Sequence, residues 1–310
     1  MSIIDITYKY TKIVDCGNIK NVIQYSAKNN KINIKKIDAN SYQIISTGEV
    51  KKYKKGLTRD NQLKGIKQSI SKLRDLINTN ITDTSKAKFL TLTYEENMTD
   101  SKRLYQDFKK FNMRLRFLNY DYEYITVAEP QKRGAWHLHV LLLFKSKAPF
   151  IPSNLIAKVW GNGFVRLNKI DNCNNVGAYL SAYLTNLKDG KKTKKGKRLN
   201  LYPNKFNLYR CSKGIKKPTI KWYFTADLLK IKDLDGFKKT YSKVKIIELE
   251  NGQTLQLNYL QYNKTIKEKQ SVLCRESLLT AGRTVLGFFA KGSPTPIDQL
   301  TKAGAPFVTA

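Results

Sequence analysis

The sequence predicts an α+β fold: an antiparallel sheet with helices on one face, plus N- and C-terminal extensions. Three observations predict it. Apolar and polar residues alternate in four short runs between residues 88 and 170. Apolar residues recur at three- and four-residue steps between those runs. The two patterns follow one another as β-α-β-β-α-β and then α.

Residues 88–94 form the first strand. Residues 100–118 form a helix, with Thr99 or Asp100 as N-cap and Leu104, Phe108, Phe111, Leu115 and Leu118 on one face. Residues 122–129 are a strand, Pro130-Gln131-Lys132-Arg133-Gly134 a turn, and residues 135–144 the returning strand. Pro152-Ser153-Asn154 opens a short helix that ends near Trp160-Gly161, and residues 163–170 form the fourth strand. Asn174 or Asn175 caps a last helix over 176–187. This order is the ferredoxin-like split βαβ pattern, which leaves the second face of its sheet free for ligands.

The flanks are less regular. Residues 1–56 suggest a few short strands, and the run Lys51-Lys52-Tyr53-Lys54-Lys55 an exposed loop. Residues 58–78 read as an amphipathic helix, with Leu63, Ile66, Ile70, Leu73 and Ile77 on one side and basic residues between them. It is either a surface helix with solvated lysines or one that contacts a phosphate backbone. Residues 188–222 are very basic and carry Tyr202, Phe206 and Tyr209. Cations on phosphates and rings under bases suit single-stranded nucleic acid, whereas a solvated loop is the alternative for 188–198. Residues 243–263 suggest a hairpin turning at Asn251-Gly252, and small residues from 287 onward a flexible tail. The expected division is a basic N-terminal region (1–85), a core with a basic and aromatic extension (86–225), a small accessory region (226–286) and the tail (287–310).

With 57 Lys+Arg against 24 Asp+Glu the formal charge is +33. Self-repulsion on that scale calls for a polyanionic partner, and nucleic acid fits best. An anionic membrane surface is disfavoured, because no apolar run reaches the roughly 18 residues of a spanning helix and no signal peptide opens the chain. Cys16, Cys173, Cys211 and Cys274 are scattered without zinc or redox spacing, as in a reduced, cytoplasmic protein.

The chemistry centres on Trp136-His137-Leu138-His139-Val140, which holds both histidines of the chain. Two positions chosen at random fall at this separation only about once in 150. Residues two apart on a strand share a face, so His137 and His139 project together and can hold one metal ion. Glu129 lies eight residues earlier, across the five-residue turn, where strand pairing brings it beside them. Two nitrogens and a carboxylate suit Mg2+ or Mn2+ with positions left for phosphate oxygens. Tyr179 and Tyr183 stand at i and i+4 of the last helix, as packing residues or as a nucleophile for a phosphate.

These residues carry a resemblance. The chain resembles the replication initiators of the HUH endonuclease superfamily, the Rep proteins of rolling-circle plasmids and phages. Phe89-Leu90-Thr91-Leu92-Thr93-Tyr94 resembles the first family motif, and His137-Leu138-His139 matches the His-hydrophobic-His motif. Glu129 stands where the carboxylate ligand often does, and Tyr179 and Tyr183 match the two-tyrosine third motif. The likeness spans roughly residues 86–190. Many two-tyrosine relatives have lysines three and seven positions after the first tyrosine; Ala182 and Asn186 stand there here, with Lys188 a candidate substitute.

The resemblance implies metal-dependent nicking and rejoining of single-stranded DNA at a replication origin, through a 5′-phosphotyrosine. Lys132, Arg133, Lys188, Lys191, Lys192, Lys194, Lys195, Lys197 and Arg198 are the candidate DNA contacts. Relaxases generally use a third histidine, which this chain lacks, and a short transposase would not need the large flanks. Gly190 to Lys197 has the wrong interval for a P-loop and Arg198 follows it, so unwinding falls to a separate helicase. The reading from another class is a non-catalytic nucleic-acid-binding protein, indifferent to metal and to loss of both tyrosine hydroxyls.

Overall fold

Strands with polar-apolar alternation and helices with one apolar stripe assemble into layers around shared cores. The computed structural model describes residues 5, 7–27, 34–53, 63–131, 133–170, 175–185, 187–188, 191–192, 201–203, 206–228, 232–248 and 254–264. All of them lie in one compact unit, Met1–Ile266. The expected tail lies outside the described residues, as does the Asn251-Gly252 turn.

The N-terminal segment begins with a hairpin of β1 (Tyr10–Asp15) and β2 (Ile19–Tyr25). β3 (Ile34–Lys36), β4 (Ser41–Ile44) and β5 (Val50–Lys52) follow as a small meander. Its lysines Lys51 and Lys52 are exposed, but on a strand rather than a loop. The basic amphipathic helix is α1 (Leu63–Asn80), which buries Ile66, Leu73 and Ile77 and exposes Lys67 and Lys72.

The expected core follows in order: β6 (Ala87–Thr93), α2 (Ser101–Phe117), β7 (Glu123–Pro130), β8 (Trp136–Leu143), α3 (Ser153–Trp160), β9 (Val165–Lys169) and α4 (Val176–Thr185). Asp100 is the N-cap of α2, its carboxylate accepting from the Lys102 amide at 2.7 Å. Leu104, Phe108, Phe111 and Leu115 are buried beneath it, while Leu118, past the last helical residue, is exposed. β10 (Leu187–Lys188) and β11 (Lys191–Lys192) pair with each other, and β12 (Tyr209–Cys211) joins the edge of the core sheet. The sheet order is β12-β7-β8-β6-β9, and every neighbouring pair is antiparallel.

Trp136, Leu138, Val140 and Leu142 face one side of this sheet, where they share a core with the apolar stripe of α2. The second side was expected to be free, and it is only partly so. Ile125, Val127 and Leu141 lie on it and are buried. Burying three large apolar side chains contributes about 1.5–3 kcal/mol each, so this side forms a second packing surface.

A second antiparallel sheet, ordered β13-β1-β2-β15-β14, is built from β13 (Thr219–Phe224), β14 (Lys238–Glu248) and β15 (Thr254–Asn263) with the N-terminal hairpin. The sequence assigns these strands to three separate segments, yet here they are neighbours. A short helix, α5 (Thr225–Leu228), follows β13. α1 is tied to this sheet by Asn21, whose amide donates to Asp75 at 2.8 Å.

Burial pushes the Asp75 carboxyl up to about 6, against the opposing pull of Arg74, Lys12 and the Asn21 hydrogen bond. A carboxyl raised on folding binds its proton more tightly in the folded state. Its contribution is therefore fully present below the unfolded value of 3.8 and is lost as pH rises through about 6. Asp75→Asn is expected to stabilise the protein by about 2 kcal/mol at pH 7.5 and by much less at pH 5, read by denaturant unfolding at both values.

Candidate metal centre

The β7–β8 hairpin builds the site. Pro130 ends β7, and the turn closes when the Gln131 amide donates to the Ala135 carbonyl at 2.7 Å and the Gly134 amide to the Gln131 carbonyl at 3.0 Å. Gly134 has φ +95°, a conformation that favours glycine. Arg133 pins this turn to the end of β6, its guanidinium donating to the Tyr94 carbonyl at 3.1 Å. That expected DNA contact therefore holds backbone, although its residue is exposed.

This turn sets the register that pairs Glu129 with His137 and Val127 with His139. On the other side of β8, Thr93 pairs with His137 and Thr91 with His139. The sheet thus collects Glu129, His137 and His139 on one face, with side chains only 7%, 11% and 12% exposed. One carboxylate oxygen of Glu129, Oε2, lies 3.3 Å from His137 Nε2 and 3.2 Å from His139 Nε2. The two Nε2 atoms are 3.0 Å apart.

Such convergence suits a cation. Three donors on one face of an octahedron, with bonds of about 2.1–2.3 Å, stand about 3.0–3.3 Å apart. Among the described residues this is the group of three or more His, Cys, Asp or Glu able to hold a metal ion. A buried carboxylate also needs positive charge nearby, which a bound cation or protonated imidazole supplies.

The neighbours orient the rings unequally. His139 Nδ1 lies 3.2 Å from the Thr91 hydroxyl, and its ring stacks on Phe89 with centroids 5.4 Å apart and planes 9° from parallel. With Nδ1–H donating to Thr91, the Nε2 lone pair is directed toward the other two donors. His137 Nδ1 is buried and has no hydrogen-bond partner among the described residues, so packing fixes that ring.

Behind the site, the Trp136 indole donates to the Thr99 carbonyl at 2.9 Å and stacks on Phe206 at 4.8 Å between centroids. Tyr202 packs edge-on against the same indole and donates to the Ala128 carbonyl at 3.0 Å. Tyr202 and Phe206 are therefore buried core residues, which corrects their reading as platforms for bases. Trp136 is large, and it takes these rings as its cover.

α4 carries Tyr179 and Tyr183, whose side chains lie outside the described set. Its start is locked to α1: Asn78 Oδ1 accepts from the Gly177 amide at 2.7 Å, and Asn175 Oδ1 accepts from the Ala178 amide at 2.9 Å. A Cβ at Gly177 would overlap the Arg74 carbonyl and the Asn78 side chain, so the close approach requires glycine. Arg74 also donates to Ser181 at 3.3 Å.

Lys188, Lys191 and Lys192 lie on the β10–β11 pair, with their side chains outside the described set. Lys132, Lys194, Lys195, Lys197 and Arg198 fall wholly outside the described residues. Arg166, absent from the sequence-based candidates, is exposed and pairs with Thr91 in register, two strands from the histidines on the same face. Its place opposite buried Val165 in the alternation was the signal for it.

A family model described as a replication-associated protein of the ORF2 type matches residues 87–188, from the first residue of β6 to the last of β10. The comparisons with curated proteins and with solved structures give no match. The matched stretch contains Glu129, both histidines and both tyrosines. No helix among the described residues is long and apolar enough to cross a membrane.

Removing the group that orients His139 tests the centre. Thr91→Val is expected to lower Mn2+ affinity about ten-fold in calorimetric titration while the circular dichroism spectrum stays unchanged.

Proposed function

We propose that this protein initiates rolling-circle replication by nicking and rejoining single-stranded DNA at an origin, as a member of the HUH superfamily. The observation that carries the reading is the convergence of Glu129, His137 and His139 donor atoms at 3.0–3.3 Å within the matched segment. The strand order β7-β8-β6-β9, with α2 and α3 as crossings, supports a ferredoxin-like core inside residues 86–225. The charge of +33 supports a nucleic-acid partner.

In this reading Glu129, His137 and His139 hold Mg2+ or Mn2+. The ion would polarise the scissile phosphate and offset its developing charge. A hydroxyl from Tyr179 or Tyr183 attacks phosphorus, forming a phosphotyrosine bond as the bond to the 3′ oxygen breaks. The phenol gives up its proton, and the leaving 3′ oxygen ends as the hydroxyl that primes synthesis. The second tyrosine serves the transfer that closes the round. Arg166 and the lysines of β10 and β11 hold the DNA backbone, a separate helicase opens the duplex, and the reaction takes place in the cytoplasm.

Incubation with Mn2+ and a single strand carrying the cognate origin, followed by a denaturing gel, is expected to give a nick and a protein-linked fragment. His137→Ala or EDTA removes both. Tyr179→Phe and Tyr183→Phe, made separately, identify the first nucleophile by which one prevents the initial nick. A cognate strand left uncut and unattached, with metal present, defeats the catalytic reading.

A further inference from the structure

The second sheet has a face with aromatic rings, lysines and no carboxylate among its described strand positions. In one row across it stand Phe224, Tyr10 and Tyr25. In the next, Trp222 pairs with Lys12. Lys245 and Lys243 end the same two rows at the opposite edge, on β14. The acidic positions of these strands, Asp15 and Glu248, fall on the other face by alternation.

The rings are arranged as a platform. Tyr10 and Phe224 lie 5.4 Å apart between centroids, and Tyr25 and Trp222 5.6 Å apart. Trp222 is 59% and Phe224 58% exposed, which is costly for side chains of this size unless a ligand covers them. Lys12 Nζ sits 5.6 Å from the Trp222 ring centre, and Lys9 Nζ 5.8 Å from that of Tyr10. Cations beside flat apolar rings match the phosphates and bases of an unpaired strand; a duplex keeps its base faces stacked inside.

We propose that this face is a second DNA site, binding single-stranded DNA by stacking bases on Trp222 and Phe224 while Lys12, Lys243 and Lys245 meet the phosphates. The choice of DNA over other polyanions rests on the replication reading above. The site itself is separate from the Glu129–His137–His139 centre: none of its residues lies in the matched segment. It would hold a stretch of strand apart from the one being cut.

Trp222 reports on this directly, because Trp136 and Trp160 are 2% and 1% exposed. The full-length protein is titrated with oligo(dT) in EDTA, so that no metal-dependent cleavage occurs, while tryptophan emission and the anisotropy of a labelled oligonucleotide are recorded. Emission is expected to be quenched on binding. Trp222→Phe removes the quench but keeps most of the affinity, since a ring remains to stack. Trp222→Ala with Phe224→Ala weakens single-strand binding by about ten-fold or more at 0.3 M salt and leaves duplex binding unchanged.

Three results would overturn the proposal: quenching that persists in Trp222→Phe, an equal loss for duplex and single strand, or unchanged affinity in the double alanine variant. Unchanged DNA affinity with loss of a concentration-dependent dimer would assign the face to a second copy of the chain instead. Origin nicking in Mn2+ is measured on the same variants. Nicking without stacking overturns this inference alone, and stacking without nicking overturns only the catalytic reading.

Discussion

The register of the β7–β8 hairpin is the constraint on which the candidate centre depends. A shift of one residue would turn His137 and His139 toward the α2 core and bring Trp136, Leu138 and Val140 out. The apolar side of β8 prevents that shift, because those residues share a core with Leu104, Phe108, Phe111 and Leu115. Gly134 closes the turn, Arg133 ties it to Tyr94, and Glu129 arrives opposite His137 as a consequence. The polar cluster therefore needs little stability of its own. Packing on the far side of the sheet fixes where its donor atoms meet.

The second dependence is between helices. α4 is held at its first turn by Asn78 and by the contact that only a glycine at 177 permits, so the tyrosine-bearing helix is anchored through α1. α1 in turn reaches the second sheet through Asp75 and Asn21. Asn175 extends the same network to Gln261 on β15 at 2.9 Å. Polar side chains thus connect the helix carrying Tyr179 and Tyr183 to the sheet that presents Trp222 and Phe224. Such networks hold their members in one arrangement when each group has a partner.

Periodicity made the region from residue 88 to residue 187 legible, because each helix there shows a stripe and each strand a bounded apolar run. The metal group was legible for the same reason: spacing two on a strand and eight across a turn fixes relative position. Long-range pairing was not. β1 and β2 look like isolated strands because nothing in their own residues names β13 and β15 as partners. Tyr202 and Phe206 lie near a lysine-rich stretch, which suggested stacking on bases, whereas their partner is an indole some seventy residues earlier. The covered second face of the core sheet did leave a signal. Ile125, Val127 and Leu141 belong to nearly continuous apolar runs, the pattern of strands buried on both sides. Thr91 fell inside the first motif, but its contact with His139 depends on strand register that local sequence does not specify.

The account joins a buried Glu-His-His cluster to a helix with two tyrosines, and a covalent product would record that union. Protein reacted with origin DNA and Mn2+ can be digested with nuclease and protease, and the remaining nucleotide mapped by mass spectrometry. The account predicts a nucleotide on Tyr179 or Tyr183, absent in Glu129→Gln. A nucleotide on another residue, or the same adduct formed in full by Glu129→Gln, would contradict it.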